Sequence, residues 1–578
     1  MKDITMSKAP QAVKANLEYL RKLFICADSP DKFIEFGREL LEMIHEFFQE
    51  KGGIHSSVSL PELSRIFNQT TVPDQPQLIK DVLAEIKQKI IKHSVKVGNP
   101  YYIGHMISAV PYFMILLEMI IAALNQNQVK IETAKASSFV EREIIAWMHH
   151  LVFGRRERFY EKHMQDPRVA LGNVTADGTI ANLTALLVAR EKAFPVDGDF
   201  PGARGAGIGR ALKHYGFDRA VVLVSTRGHY SIKKAASMIG IGEENVVTIP
   251  VDECNRIDLR RLRRRIRQFQ QETERVKVMA VVGIAGTTET GNVDNLAELG
   301  QIAREAGAHF HVDACWGGSA LLVDEYQTLF KGIEQADSVS IDAHKLLYCP
   351  MTMGMVLFRN EKDLNVIRHC SQYVIRRNSV DTGRFTIEGS RPFACLKPWA
   401  ALKIMGRDGY GLLFKQAQLS TRRLKEILDH CGNFETLSKP QLFILAYRFI
   451  PEAAQEKLRR LQAALRDCSP NHKEEARELE RKIRKINHLI NGLNIKLHKA
   501  LRRDDSTFVS RTTLESTRYR PQNIVVLRAV LVNPLTNLQI FKEIVSPQNR
   551  TGRKFWKEFL PASIRLAEQP LEMKQPQP

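Results

Sequence analysis

The chain has 578 residues, 44% of them hydrophobic, so it can bury a sizeable core and exceeds one ordinary domain. Its formal charge is +20, and its eight cysteines, at 26, 254, 315, 349, 370, 395, 431 and 468, show no CxxC spacing. That scatter argues against a disulfide framework and a zinc site, and no metal is expected.

The N-terminus, MKDITMSKAPQAVKANLEYL, lacks the apolar core of a signal peptide. The most apolar run, YFMILLEMIIAAL, is interrupted by Glu118. It is too short for a membrane span of roughly 20 residues. The expectation is a soluble, cytoplasmic protein with no membrane partner.

Residues 1 to about 95 read as an N-terminal helical segment, with caps and turns such as SSVSLPELSRIF. Helical character continues from 99 to 154, broken by polar patches at NQNQ and TAKASS. Between about 165 and 360 short apolar runs alternate with amphipathic stretches. The runs are AVVLV (220–224), VMAVV (278–282), HFHV (309–312), SVSI (338–341) and MVLF (355–358). This alternation predicts an α/β domain with a mostly parallel sheet, whose ligands bind at the carboxyl ends of the strands. The large domain is expected to span 96–385.

The densest basic run, LRRLRRRIRQF (259–269), places Leu259, Leu262, Ile266 and Phe269 on one helical face behind a possible Asp258 cap. It reads as an amphipathic helix with a solvated basic face. No zinc-finger spacing or RNP-like pattern accompanies it, so no nucleic acid is expected. The positive field would attract small anions.

A small C-terminal α+β domain is expected over 386–560, with strands at 442–450 and 523–532. Between them a helical insertion, 452–502, repeats Ile483, Ile486, Ile490, Leu493 and Leu497 at helical spacing, and CSPNHKEE splits it into a hairpin. The tail, 561–578, reads as disordered.

Five segments follow the strands or open helices. In GNVTADGTIANL a glycine turn enters a helix, and free amides there make an anion site to which Gly178 and Thr179 contribute. STRGHYS places His229 where an imidazole could stack on a flat ligand or be a satisfied loop residue. GIAGTTETGNVD offers Thr287 and Thr288, as ligand donors or as turn formers. In HFHVDACWGG, Asp313 ends a strand, where a carboxylate is costly unless something basic meets it. SVSIDAHK ends in Lys345, whose alternative to a solvated strand end is a Schiff-base amine. An anion cradle, a stacker, a carboxylate for a ring nitrogen and an amine for an aldehyde are the needs of pyridoxal phosphate.

These segments resemble the group II pyridoxal-phosphate amino-acid decarboxylases. The likeness extends through NPYYIGHMISAVPYF, LNQNQVKIETAKA, VDTGRFTIEGSRPFACLKPW and VVLRAVLVNPLT, over roughly 95–545. Within the group the chain looks most like the bacterial pyridoxal-dependent aspartate 1-decarboxylases. The resemblance implies fold type I, a homodimer with active sites at the subunit interface, and pyridoxal 5'-phosphate as cofactor. It implies Gly178 and Thr179 at the phosphate, and Thr288 and Cys315 beside the cofactor. It implies His229 stacked on the ring, Asp313 at the ring nitrogen, Lys345 as Schiff-base lysine and His344 next to it. Arg528, His105 and Asn127 would meet the substrate. The reaction implied is α-decarboxylation of an acidic amino acid, L-aspartate giving β-alanine for pantothenate. Glutamate, cysteine sulfinate or an aromatic amino acid are the alternative substrates. A transaminase, a lyase, a desulfurase or a non-catalytic polyanion-binding homologue are the other classes.

Three positions depart from the family's pattern. Asp177 stands where relatives usually carry a second glycine, Cys315 replaces a common alanine, and the mobile-loop tyrosine has no clear match. Tyr373 is the only tyrosine in that stretch, and alignment puts Arg376 or its neighbours at the position.

Overall fold

The structure, a computed structural model, describes residues 17–27, 30–370, 380–469, 471–519 and 522–567. Tyr373 and Arg376 lie outside them. The chain forms two compact units.

The first unit takes the described residues up to Tyr102 together with Lys499–Phe508. It is built of helices, among them Phe33–Gln49 and Leu60–Ile66. The second of these starts with a capping box: Ser59 Oγ accepts the Glu62 amide, and the Glu62 carboxylate accepts the Ser59 amide. The unit runs past the expected boundary at 95 because backbone bonds tie its end to a distant segment. Ile54 N donates to Asp505 O at 2.7 Å, and Phe508 N to Tyr101 O at 3.1 Å. The rings of Tyr102 and Phe508 stack at 4.6 Å.

The second unit, Ile103–His498 and the chain from Val509, holds both sheets. Its large sheet contains β1 (Gly172–Thr175), β2 (Arg219–Ser225), β3 (Val246–Ile249), β4 (Val276–Ile284), β5 (His309–Asp313), β6 (Ser338–Asp342) and β7 (Gly354–Phe358). The order is β1-β7-β6-β5-β4-β2-β3, and only β7 runs antiparallel to its neighbours. Sheets of this kind are covered on both faces, so their strands read as continuous apolar runs.

Pleating sends Val221 and Leu223 of β2 to one face, against Leu262, Phe269, Leu296 and Leu299. Val222 and Val224 go to the other, against Leu186 and Ala189 of the Gly178–Ala193 helix. Each such side chain contributes roughly 1.5–3 kcal/mol by leaving water. Val222, Leu223, Val281 and Val339 are all fully buried.

The basic helix, Leu259–Gln271, is capped by Asp258 and buries Leu262 and Phe269. Arg263 pairs with Glu305, Arg265 with Glu272, and Arg265 also lies 4.1 Å over the Phe269 ring.

A second sheet, fully antiparallel, contains β8 (Phe434–Thr436), β9 (Ile444–Phe449), β10 (Ser510–Glu515) and β11 (Asn523–Val530) in the order β10-β11-β9-β8. The insertion forms two helices, Glu452–Asp467 and Lys473–Arg503. Ile490, Leu493 and Leu497 are fully buried on the longer one. This architecture is the expected fold type I arrangement: a mostly parallel sheet flanked by helices, with a small antiparallel sheet.

The tail departs from expectation. The last helix, Leu538–Ala567, runs through 561–567, where Ala562, Leu566 and Ala567 are strong helix formers. Residues 568–578 lie outside the described ones. Among the described residues no helix is long and apolar enough to cross a membrane, and no His, Cys, Asp and Glu cluster could hold a metal.

Candidate active site

A cleft of about 170 Å³ opens at the carboxyl ends of β4, β5 and β6. Into it the strand ends deliver Thr288, Asp313, Cys315, His344 and Lys345. The β1 and β2 turns add Gly178, Thr179 and His229.

Asp313 is the last residue of β5 and only 6% exposed. Its Oδ2 accepts from Asn182 Nδ2 at 3.0 Å and its Oδ1 from the Cys315 amide at 3.2 Å. Burial alone would push this carboxyl up, but Lys345, His311, Cys315 and His229 together outweigh it and hold the group below the usual range. Asn182 itself joins four partners. Its amide group also donates to Ser231 Oγ, and its oxygen accepts from His311 Nε2 and Ser340 Oγ. Burial pulls His311 down to about 4, so a neutral ring donates that bond.

Lys345 follows β6 by one turn. Its Nζ lies 2.9 Å from Asp342 Oδ2. Burial would lower the ammonium, yet Asp342, Cys315 and Asp313 together hold it above the ordinary lysine value. The other Asp342 oxygen is buried without a hydrogen-bond partner. His344 is fixed by its Nδ1 at 2.9 Å from the Met353 carbonyl, and its Nε2 lies 3.8 Å from Asp342.

His229 caps the Tyr230–Met238 helix: its Nδ1 accepts the Ser231 amide and bonds Ser231 Oγ at 2.8 Å. Burial lowers its imidazole despite the Asp313 charge. The helix at Gly178 begins against the cleft floor. A Cβ at Gly178 would stand 2.5 Å from Cys315 Sγ and 2.8 Å from Asp342, so these two residues demand the glycine. Burial raises the Cys315 thiol, which donates to Ser340 Oγ at 3.3 Å.

Asp177 occupies the helix start. Its Oδ1 accepts the amides of Thr179 at 2.9 Å and Ile180 at 3.0 Å. This is an N-cap, whose carboxylate occupies the amides that an external anion would use.

Arg528 stands behind the cleft wall. Its Nε donates to the Thr288 carbonyl at 2.6 Å, while its Nη2 is buried without a partner. Burial brings the guanidinium down to about 10, with Glu289 the opposing charge. Burial also raises the Glu289 carboxyl, and its Oε2 is unpartnered. His105 has an exposed edge but feels Arg528, Lys345 and His344; burial first, then these charges, lower it. Asn127 is not in the cleft. It donates to Ser390 Oγ and accepts the amides of Val129 and Arg391, pinning two chain segments. Thr287 bonds Thr290 Oγ1 at 2.8 Å and the Asn292 amide, which makes it a turn former.

Sequence reasoning did not single out Asn182, Asp342, Arg227 or Glu289. Asn182 carries a signal, because it sits four residues after Gly178 on the same helix face. Asp342 carries another, three residues before Lys345.

A flat heteroaromatic bearing an anion fits this set. The Thr179 and Ile180 amides suit a phosphate in place of the Asp177 carboxylate, Asp313 suits a protonated ring nitrogen, and Lys345 Nζ suits an aldehyde carbon.

Residues 61–450 match the model of the pyridoxal-dependent decarboxylase conserved domain. An aspartate 1-decarboxylase of Aliivibrio fischeri is 37% identical over 535 residues, covering 92% of this chain and 94% of that one. The cysteine sulfinic acid decarboxylase of Mus musculus is 28% identical over 388 residues, 65% of this chain and 73% of that one. Among solved structures, Oryza sativa TDC with PLP and tryptamine superposes with a TM-score of 0.74 at 16% identity, covering 92% of this chain and 100% of that one. Mouse CSAD gives 0.73 at 22% identity, covering 90% and 99%. The cleft geometry and the match along two thirds of its length agree, and the chain belongs to the pyridoxal-dependent decarboxylases, amino-acid decarboxylases that work with pyridoxal 5'-phosphate.

Proposed function

We propose that the chain removes the α-carboxylate of an acidic L-amino acid, foremost L-aspartate, giving β-alanine, a building block of pantothenate, and carbon dioxide. The observation that carries the substrate class is Arg528: a buried guanidinium with a free Nη2, bonded to the backbone of a cleft-lining threonine. A charge-assisted, buried bond of that kind favours a second carboxylate. The 37% identical relative named aspartate 1-decarboxylase supports the same reading.

Bound pyridoxal phosphate supplies the sink for the electron pair that carbon dioxide leaves behind. Asp313 holds a proton on the ring nitrogen, and Asn182 orients its carboxylate for that bond. Lys345 Nζ would hold the cofactor through its aldehyde carbon. The ammonium must first lose a proton, and Asp342 Oδ2 at 2.9 Å is positioned to take it. His229 covers one ring face and excludes water there. Thr179 and Ile180 bind the phosphate.

A cytoplasmic homodimer belongs to the same reading. The helix Tyr112–Leu124 leaves Tyr112, Leu116, Met119, Ile120 and Leu124 exposed, an apolar face suited to a second copy. Light scattering on the purified protein checks it.

Product analysis decides the substrate. The loaded protein is offered L-aspartate, L-glutamate, cysteine sulfinate, L-2,4-diaminobutyrate and L-DOPA separately, and the amine product is measured. β-Alanine forming with the highest kcat/KM is the expected result. A different amine formed faster overturns the choice of aspartate, and a keto acid overturns the reaction.

A further inference from the structure

A second and larger cleft, about 800 Å³, lies between the edge of the small sheet and the two insertion helices. That volume is within the range of about 300–1,000 Å³ typical of small-molecule sites. Its walls carry five cations, Lys425, Lys439, Arg466, Arg484 and Arg518, against two carboxylates, Glu253 and Glu480. Three cations are engaged: Arg484 with Glu480, Arg518 with Glu435 and Lys425 with Asp429. Among the described residues Lys439 and Arg466 make no ion pair, and both are exposed. Ser438, also in the lining, is 9% exposed and its buried Oγ has no hydrogen-bond partner. An unsatisfied hydroxyl in a cationic lining is a polar anchor without its acceptor or donor.

This cleft shares two walls with the catalytic one. Asn255 lines the large cleft and accepts from Arg227 Nη2 at 2.9 Å, while Arg227 lines the catalytic cleft. The Lys439 carbonyl accepts from Asn292 Nδ2 at 3.1 Å, and the Asn292 amide donates to Thr287 Oγ1 at 3.2 Å. Thr288, next in that turn, lines the catalytic cleft and holds Arg528.

We propose that the large cleft binds a compact organic polyanion, held by Lys439, Arg466 and the Ser438 hydroxyl, and that its occupancy is transmitted to the catalytic cleft through Asn255–Arg227 and the 287–292 turn. The cleft's volume of about 800 Å³ suits a small molecule bearing several phosphates or carboxylates.

The test uses the full chain loaded with pyridoxal phosphate, so that the anion site at Thr179 is already taken. Tripolyphosphate is titrated by calorimetry at constant ionic strength, and citrate is the second probe. Saturable binding of either is expected. Lys439→Glu with Arg466→Glu should weaken it by about tenfold or more, and Ser438→Ala by less. Ligand binding should change the visible circular dichroism of the cofactor in the wild type and, at the same concentration, not in the double variant. Phosphate against citrate then tells the ligand class. Equal affinity in the double variant, or no saturable heat from either probe, overturns the site. Binding with no change in the cofactor signal overturns the coupling. A single-stranded RNA that binds more tightly than both probes through Lys439 and Arg466 overturns the small-molecule reading.

Discussion

The carboxylate of Asp177 sits 2.9 Å from the backbone nitrogen of Thr179, on the helix start proposed to hold the cofactor phosphate. One anion therefore blocks the place of another. Cofactor loading must displace Asp177 or leave it beside a phosphate, a repulsion on the order of 1 kcal/mol when solvated. Asp177→Gly should bind pyridoxal phosphate about fivefold more tightly, measured by absorbance titration. The cofactor-free variant should lose only about 0.3 kcal/mol of stability, since glycine is itself a tolerated helix cap. Weaker cofactor binding in the variant would show that Asp177 assists loading.

Lys345 and Asp342 form a buried pair at 2.9 Å. Lys345→Ala should abolish both turnover and the visible absorbance of a covalently held cofactor. Asp342→Asn removes the main charge that holds the ammonium up, so the amine should become reactive at lower pH. The rate of cofactor attachment, followed against pH by stopped-flow absorbance, should shift its profile to the acid side. An unshifted profile would refute Asp342 as the charge that holds the ammonium.

Much of this was legible in the residues, and the exceptions have physical reasons. β2, β4, β5, β6 and β7 announce themselves because strands covered on both faces need unbroken apolar runs. β1 and β3 are four residues each, GNVT and VVTI, too short for a pattern. β10, SRTTLE, alternates exposure at a sheet edge and reads as polar loop. Lys345, Asp313 and His229 stand out because each ends or follows a strand. Asn182 does not, since an asparagine inside a helix looks solvated until the sheet buries it against His311 and Ser340. The Arg528–Thr288 bond joins residues 240 apart, a contact that spacing cannot disclose.

Acid should unfold the protein with a definite sign. Burial pulls His149 down to about 3 and His311 to about 4, and His309 is likewise lowered. All three stay neutral in the folded chain, whereas the unfolded chain protonates them below about pH 6.5. Stability is thus lost as pH falls from about 6.5. Asp294 works the other way: burial raises it to about 6, so the folded chain holds its proton first. Near pH 5 these four groups together take up roughly two protons on unfolding, contributing a slope of roughly 3 kcal/mol per pH unit. Denaturant melts between pH 7.5 and 5 measure it, and His149→Gln should reduce the slope by about one proton. A flat profile would contradict the burial of these imidazoles.

The proposed acidic substrate rests on Arg528 as the partner of its second carboxylate. Under the proposed reading the unpartnered Nη2 of Arg528 would meet that group, while its Nε donates to the Thr288 carbonyl at 2.6 Å. Hydrogen bonds to charged groups contribute about 1.5–3 kcal/mol, a factor of roughly 10–150. Arg528→Gln should raise KM for L-aspartate by that factor while the cofactor absorbance stays, because the arginine does not line the cofactor cleft. Arg528→Lys keeps the charge but loses the fork, and should fall between the two. An apolar amino acid should be processed no worse by the variant than by the wild type. If KM for aspartate is unchanged and turnover alone falls, Arg528 acts through Thr288 as a positioning residue, and the second carboxylate is read elsewhere.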